Sequence, residues 1–211
     1  MKEFKDRRTL TLLVIVLVFF LVSLNANEMG RGFNVFSAIG SGGLVGKDVD
    51  DRYESKMNLA FGMTYADYTK TSAFMIEPGV SFLMTGSKAE ITEGELITSA
   101  EFTFYYLDFF LKAKYKGRRL NPYLGLGISL CTEVNAKINI NGNKVSRDAT
   151  KVFKELNYPF MIGSDLLLTN ELSLGIQYSR FLNNIPDLAG AENFKISIHK
   201  IMAIIGYRFN I

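Results

Sequence analysis

Residues 100–130, AEFTFYYLDFFLKAKYKGRRLNPYLGLGISL, constrain this chain more than any other stretch. They read as two extended segments joined by a short, basic, Gly-containing turn at 116–121. In the first, Leu107, Phe109, Leu111, Ala113 and Tyr115 fall on one side, and Asp108, Phe110, Lys112 and Lys114 on the other. In the second, Leu124, Leu126, Ile128 and Leu130 face one way, and Gly125, Gly127, Ser129 and Cys131 the other. A period of two is the signature of strands. One face is uniformly apolar, while the other mixes glycine, serine and charge. A soluble sandwich must cover such an apolar face with protein. In a membrane barrel lipid covers it, and the polar face lines the lumen.

Length and residue inventory narrow the function classes. The 211 residues suffice for one domain, and the formal charge is +3. Lys2, Lys5, Arg7 and Arg8 against Glu3 and Asp6 contribute +2 of that charge, leaving +1 for the rest. A near-neutral body gives no footprint for nucleic acid or a polybasic membrane patch. The one cysteine, Cys131, excludes an internal disulfide and a cysteine-rich metal site. It is expected as a buried, inward thiol beside Ser129. The one histidine, His199, removes most His-based catalysis and His-cluster metal binding. No Ser–His–Asp set can be assembled. The inventory argues against an enzyme, and no cofactor is expected.

Residues 1–26 read as a signal peptide and 27–211 as one barrel domain. MKEFKDRR is a charged leader, and residues 10–24 form an apolar run broken only by Thr11 and Ser23. Ala26 offers the small residue for cleavage, although Leu24 occupies a place where a small residue is preferred. The competing reading is an uncleaved signal anchor, since roughly fifteen apolar residues fall short of the ~20 needed to span a bilayer. Either way the remainder is exported.

Beyond the signal the chain divides into segments of alternating residues separated by polar punctuation. Strands are expected at 32–42, 56–68, 73–86, the two segments of 100–130, 152–168, 171–182 and 194–211. That makes eight, an even number. Pro78 cannot donate a ladder hydrogen bond, so a bulge or a membrane-interface position is expected there. Polar loops are expected at 47–55, 87–98, 139–150 (with the turn signal Asn141-Gly142-Asn143) and 183–193. The short links are 69–72, 116–121 and 169–170. Long and short links therefore alternate, as in outer-membrane barrels with short periplasmic turns and longer external loops.

Several stretches carry a resemblance. They are FMIEPGVSFLMTG (74–86), YLDFFLKAKYKG (106–117), NPYLGLGISL (121–130), LSLGIQYSRFLNNI (172–185) and the ending IIGYRFNI (204–211). On these the chain resembles the small bacterial outer-membrane β-barrel domains of the OmpX/PorT-like, porin-family "outer membrane protein beta-barrel" group. The resemblance implies an all-β fold: an eight-stranded antiparallel up-and-down transmembrane β-barrel, preceded by an N-terminal signal helix. It implies a place in the outer membrane of a Gram-negative-type cell. The partners implied are outer-membrane lipids, surface glycolipid and the barrel-assembly machinery, which reads the C-terminal strand. The family usually ends on an aromatic residue, whereas here Phe209 stands two residues early. Phe109-Phe110 also replaces an Ile-Pro pair common in the family.

Alternation directs Glu77, Asp108, Lys112, Lys114, Glu133, Lys137, Glu155, Asp165, Gln177, Lys200 and Arg208 into the lumen. Five acids face five bases, which suits a packed ion-pair network, because eight strands leave room only for side chains. An unpaired charge there would be costly. The other reading of the same residues is an ion path or a small-ligand site. Elsewhere Asp48, Asp50 and Asp51 lack calcium-loop spacing and read as a solvated external loop. A loosely held divalent ion or a bridge to anionic glycolipid is the alternative there. Gly125-x-Gly127 has no phosphate-binding helix behind it. Tyr65, Tyr68, Tyr115, Tyr123 and Tyr207 read as interface girdle residues. The expected role is structural, surface-interacting or adhesive, through four external loops. A narrow porin-like channel and a soluble periplasmic lipocalin-like binder are the alternatives. An outer-membrane palmitoyltransferase- or lipase-type enzyme would need a polar catalytic set that the sequence does not supply.

Overall fold

Alternating apolar and small residues give the whole chain strand character, and the strands pair in sequence. The computed structural model describes residues 31–46, 53–67, 72–93, 96–117, 119–185 and 196–210. The signal segment, the Asp48/Asp50/Asp51 loop and Tyr68 lie outside the described residues. The strands are β1 (Arg31–Gly46), β2 (Tyr53–Asp67), β3 (Phe74–Glu93), β4 (Leu96–Tyr115) and β5 (Leu120–Ile140). They continue as β6 (Asn143–Asp148), β7 (Leu156–Asn157), β8 (Pro159–Leu167), β9 (Leu172–Phe181) and β10 (Ile196–Asn210).

Eight of these are barrel staves. Antiparallel pairing runs β1–β2–β3–β4–β5–β8–β9–β10, and β10 returns to β1. The closing ladder is continuous from Gly32↔Asn210 to Gly46↔Ile196. Closure leaves no stave with an unpaired edge, the condition for crossing lipid with strands. The outside of the barrel is apolar and bare: Phe61 is 59%, Ile76 61%, Leu126 59% and Ile176 60% exposed. At the rim carrying the termini, Phe33 meets Tyr65, Phe74 meets Tyr115, and Tyr207 meets Phe209, with ring centroids 4.9–5.4 Å apart. Those aromatic pairs form the girdle of an interface.

The other end departs from the expected loops. Residues 87–98 are largely strand, with β3 and β4 paired without a break from Phe74↔Tyr115 to Glu93↔Leu96. The expected loop 139–150 is a second hairpin, in which β6 folds back on β5 through Asn141 (φ 46°) and Gly142 (φ 88°). Two left-handed residues in a two-residue link are the geometry that Asn-Gly favours. Polarity here marks strands that have left the membrane, not loops. The expected strand 152–168 is also interrupted. A 3₁₀ turn at Thr150–Val152 precedes β7 and β8, and the Tyr158 N–H donates to Asn183 Oδ1 at 3.0 Å. No bulge marks Pro78, which pairs in register with Leu111; the β2–β3 ladder ends one residue away, at Gly79. The ladder at His199 and Lys200 is likewise regular.

Candidate functional site

The polar side chains of β3, β4, β8 and β9 converge in the lumen because each stave turns alternate residues inward. Glu77, Lys112 and Lys114 are almost wholly buried. Lys114 Nζ lies 2.6 Å from Glu77 Oε2 and 2.6 Å from Asp165 Oδ2, bridging two carboxylates. Thr64 donates to Glu77 Oε1 at 2.5 Å, and Asn34 donates to Thr64 at 3.2 Å. Lys112 Nζ instead sits among rings, 4.5 Å from the Tyr123 centroid, 5.0 Å from Phe110 and 5.5 Å from Phe36. Each such contact stabilises a desolvated cation by roughly 0.5–2 kcal/mol. Tyr123 OH completes the group by donating to Gln177 Oε1 at 3.0 Å. Two acids and two lysines leave the cluster neutral. A cavity of ≈ 30 Å³, edged by Asn121 and Arg208, adjoins it at the end carrying the termini. That is room for one or two waters.

Above this cluster lies a layer of small polar residues. Asp108 faces Ser81 and Ser129 across its two ladders, and Lys200 faces Ser179. Lys200 Nζ is 3.8 Å from Asp108 Oδ2. The buried Asn58 amide and Ser179 hydroxyl have no hydrogen-bond partner among the described residues.

Higher still the lumen becomes apolar. Tyr106 meets Phe181 edge-on at 5.1 Å, Phe104 stacks on Tyr106 at 6.2 Å, and Phe153 meets Phe104 edge-on at 5.0 Å. Ile185, Val134 and Ile198 complete this core with no more than 2% exposure. Sequence reading did not find this core, because Phe153 and Ile185 come from connections rather than strands. The signal was present in Phe102, Phe104 and Tyr106, where β4 turns aromatic rather than polar residues inward.

The lumen therefore holds Glu77, Asp108, Lys112, Lys114, Asp165, Gln177 and Lys200, and Arg208 edges its cavity. Glu133, Lys137 and Glu155 are corrections, for all three are exposed. At the β4–β5 ladder, Tyr106 pairs with Cys131 but Tyr105 pairs with Glu133. Thr132 is the extra residue, and such a bulge reverses the facing of everything beyond it. Val134 and Ala136 point inward as a result, and Glu133 and Lys137 outward. Glu155 lies in the connection before β7. Tyr123 is also corrected, from girdle to buried lumen. Cys131 is a buried free thiol. Among the described residues no three His, Cys, Asp or Glu side chains form a metal-holding group.

The extension beyond the barrel carries its own polar contacts. Lys56 pairs with Glu101 and donates to Thr103 at 2.8 Å. The hydrogen bond that Lys56 donates to Glu101 holds that carboxyl below the usual carboxylate range. Asp148 accepts from the Thr150 hydroxyl at 2.5 Å and from its N–H at 2.9 Å, which lowers its pKa likewise. On β6 every residue is exposed.

No family model matches the chain, and no curated protein matches it. Among solved structures it is similar to the Neisserial surface protein A, at 12% identity and a TM-score of 0.52, over 85% of this chain and 99% of that one. It also matches Ail, the attachment invasion locus protein of Yersinia pestis, at 16% identity and a TM-score of 0.48, over 87% and 100%. The outer membrane enzyme PagL matches at 17% identity and a TM-score of 0.41, over 82% and 97%. The fold is that of the small outer-membrane β-barrels, and the bare apolar belt fits that location.

Proposed function

We propose that this protein is an outer-membrane barrel with a closed lumen that acts through the sheet it raises above the membrane. The observation that carries the reading is the filling of the lumen at two levels: the Glu77–Lys114–Asp165 ion pairs near the termini, and the Phe104–Tyr106–Phe181 core at the opposite end. A wide aqueous path does not fit between them. What remains available to partners is the external surface of the β3–β4 and β5–β6 hairpins. A catalytic role is not part of this reading, since His199, the chain's one histidine, lies against Tyr178 and Arg180 rather than beside a nucleophile.

Planar-bilayer recording tests the closed lumen: the purified protein is expected to give no conductance steps, and reproducible steps would overturn the reading. Cells displaying chains with residues 134–149 replaced by a short turn test the surface role. Their attachment to protein-coated surfaces is expected to fall below that of cells with the full hairpin. The second reading, a narrow conduit, draws support from the small polar layer around Asp108 and Lys200. It would require conductance that Lys112→Gln alters. The soluble ligand binder has the bare apolar belt against it. Fractionation and a comparison of unheated with boiled samples test that point, because a folded membrane barrel shifts on heating.

A further inference from the structure

One lipid-facing row of the barrel is out of keeping with the rest. Arg180 on β9 is exposed and pairs across the sheet with Phe160 on one side and His199 on the other. Along its own strand its outward neighbours are Tyr178 and Leu182, the latter 65% exposed. The His199 ring meets the Tyr178 ring edge-on at 6.5 Å. Arg180 has no ion-pair partner among the described residues, and none of these neighbours is acidic. From Leu172 at the rim to Arg180 is eight residues, ~27 Å along the strand. With a strand tilt of ~40° that is ~20 Å along the membrane normal, near the far limit of a belt ~25 Å tall. A guanidinium facing lipid at that depth needs an anion, and the described residues offer none.

A second feature lies further along β10 and across β1 and β2. On β10 the residues facing outward after His199 are Ile201, Ala203 and Ile205. Ala203 pairs with Ile39, and Ser37 sits between Phe61 and Ile205. Two small side chains among tall ones leave an apolar concavity of ≈ 530 Å³, lined also by Leu59. Ala203 is four residues from His199, ~13 Å down the strand. A cationic head site above an apolar slot has the shape of a lipid.

We propose that Arg180 and His199 hold the phosphate of a phosphorylated glycolipid of the outer leaflet, with one acyl chain lying in the slot at Ser37 and Ala203. The proposal rests on the reading of the chain as an outer-membrane barrel with its hairpins outward, since that places Arg180 at the glycolipid leaflet. Arg180 provides the planar fork that binds phosphate bidentately, and His199 a second donor.

Native mass spectrometry of the full chain refolded in dodecyl maltoside tests it, with diphosphoryl lipid A, its dephosphorylated form and phosphatidylglycerol as probes. One diphosphoryl lipid A per barrel is expected, retained at least tenfold better than the dephosphorylated form. Arg180→Gln with His199→Gln is expected to abolish that preference, and Arg180→Lys to keep part of it. Ala203→Phe is expected to weaken both glycolipids alike. Equal retention by wild type and the double variant, or no preference for phosphate, overturns the site. Equal retention of phosphatidylglycerol overturns the assignment to glycolipid. Every sample is also run unheated and boiled. Absence of a heat shift in the wild type condemns the barrel reading itself, which keeps the two failures distinct.

Discussion

Replacing Lys114 with methionine isolates the physics of the lumenal cluster. Lys114 holds Glu77 and Asp165 at 2.6 Å each, with 4%, 3% and 15% of the three side chains exposed. The methionine keeps the volume of the stem but removes the ammonium, leaving two carboxylates with Lys112 as the remaining lysine of the cluster. Removing one partner of a buried pair typically costs 3–5 kcal/mol, because the remaining charge keeps its desolvation penalty without its counter-ion. The adjoining cavity of ≈ 30 Å³ gives the carboxylates some access to water. The expected loss is therefore at the lower end, about 3 kcal/mol. Adding Glu77→Gln restores neutrality, since Asp165 then faces Lys112, and is expected to recover about 2 kcal/mol. Urea unfolding of refolded protein in micelles, followed by far-ultraviolet circular dichroism, measures both. A loss below ~1 kcal/mol for Lys114→Met, or a double variant as unstable as the two single losses added, would refute the coupling, which for neighbouring groups runs to about 3 kcal/mol.

Other expectations concern the raised sheet. Because Lys56 lowers the Glu101 pKa, their pairing contributes fully above the ordinary carboxylate range and fades as pH falls through the folded value. Amide-exchange protection in the β3–β4 hairpin is expected to drop on acidification and to lose that pH dependence in Lys56→Met; with both side chains about a third exposed, the effect stays under ~1 kcal/mol. Gly142→Val places a β-branched residue at φ 88°, so the β5–β6 hairpin is expected to loosen by ~1–3 kcal/mol in amide exchange while the heat shift of the barrel persists. Deleting Thr132 removes the bulge and turns Glu133 and Lys137 inward toward Phe104 and Phe153. Proteolysis between residues 134 and 149 is then expected at protease concentrations that leave the wild type intact.

Most of the barrel was legible because its period-two pattern has one meaning inside lipid. Leu124, Leu126, Ile128 and Leu130 face outward, and Gly125 and Ser129 inward, as alternation alone requires. The lumenal positions of Glu77, Asp108, Lys112, Lys114 and Asp165 follow from the same parity. What alternation does not state is where the medium changes. Leu130 is apolar and outward; Val134, at the same parity in sequence, is apolar and inward, and only Thr132 separates the two ladders. The bulge leaves no distinct sequence signature, since threonine fits either side. Tyr123 was misplaced for a related reason: a tyrosine near a strand end suits a girdle or a buried hydroxyl with a partner, and Gln177, which accepts from it, lies 54 residues away.

The two sides of the β4–β5 ladder solve one problem in different ways. A strand that leaves the membrane must invert its faces, because lipid draws apolar side chains outward and water drives them inward. β4 inverts by composition: its inward residues change from Lys114, Lys112 and Asp108 to Tyr106 and Phe104 with unbroken parity. β5 keeps apolar residues at even positions throughout and inverts by geometry, at Thr132. The changes coincide at Tyr106 and Cys131, which face each other. Below that level the barrel is a membrane protein with a polar interior; above it the sheet is soluble in kind, packed on Phe153 and Val134. The hairpins beyond are therefore held by a core of their own, so their outer faces can change without disturbing the ion pairs of the membrane-spanning half.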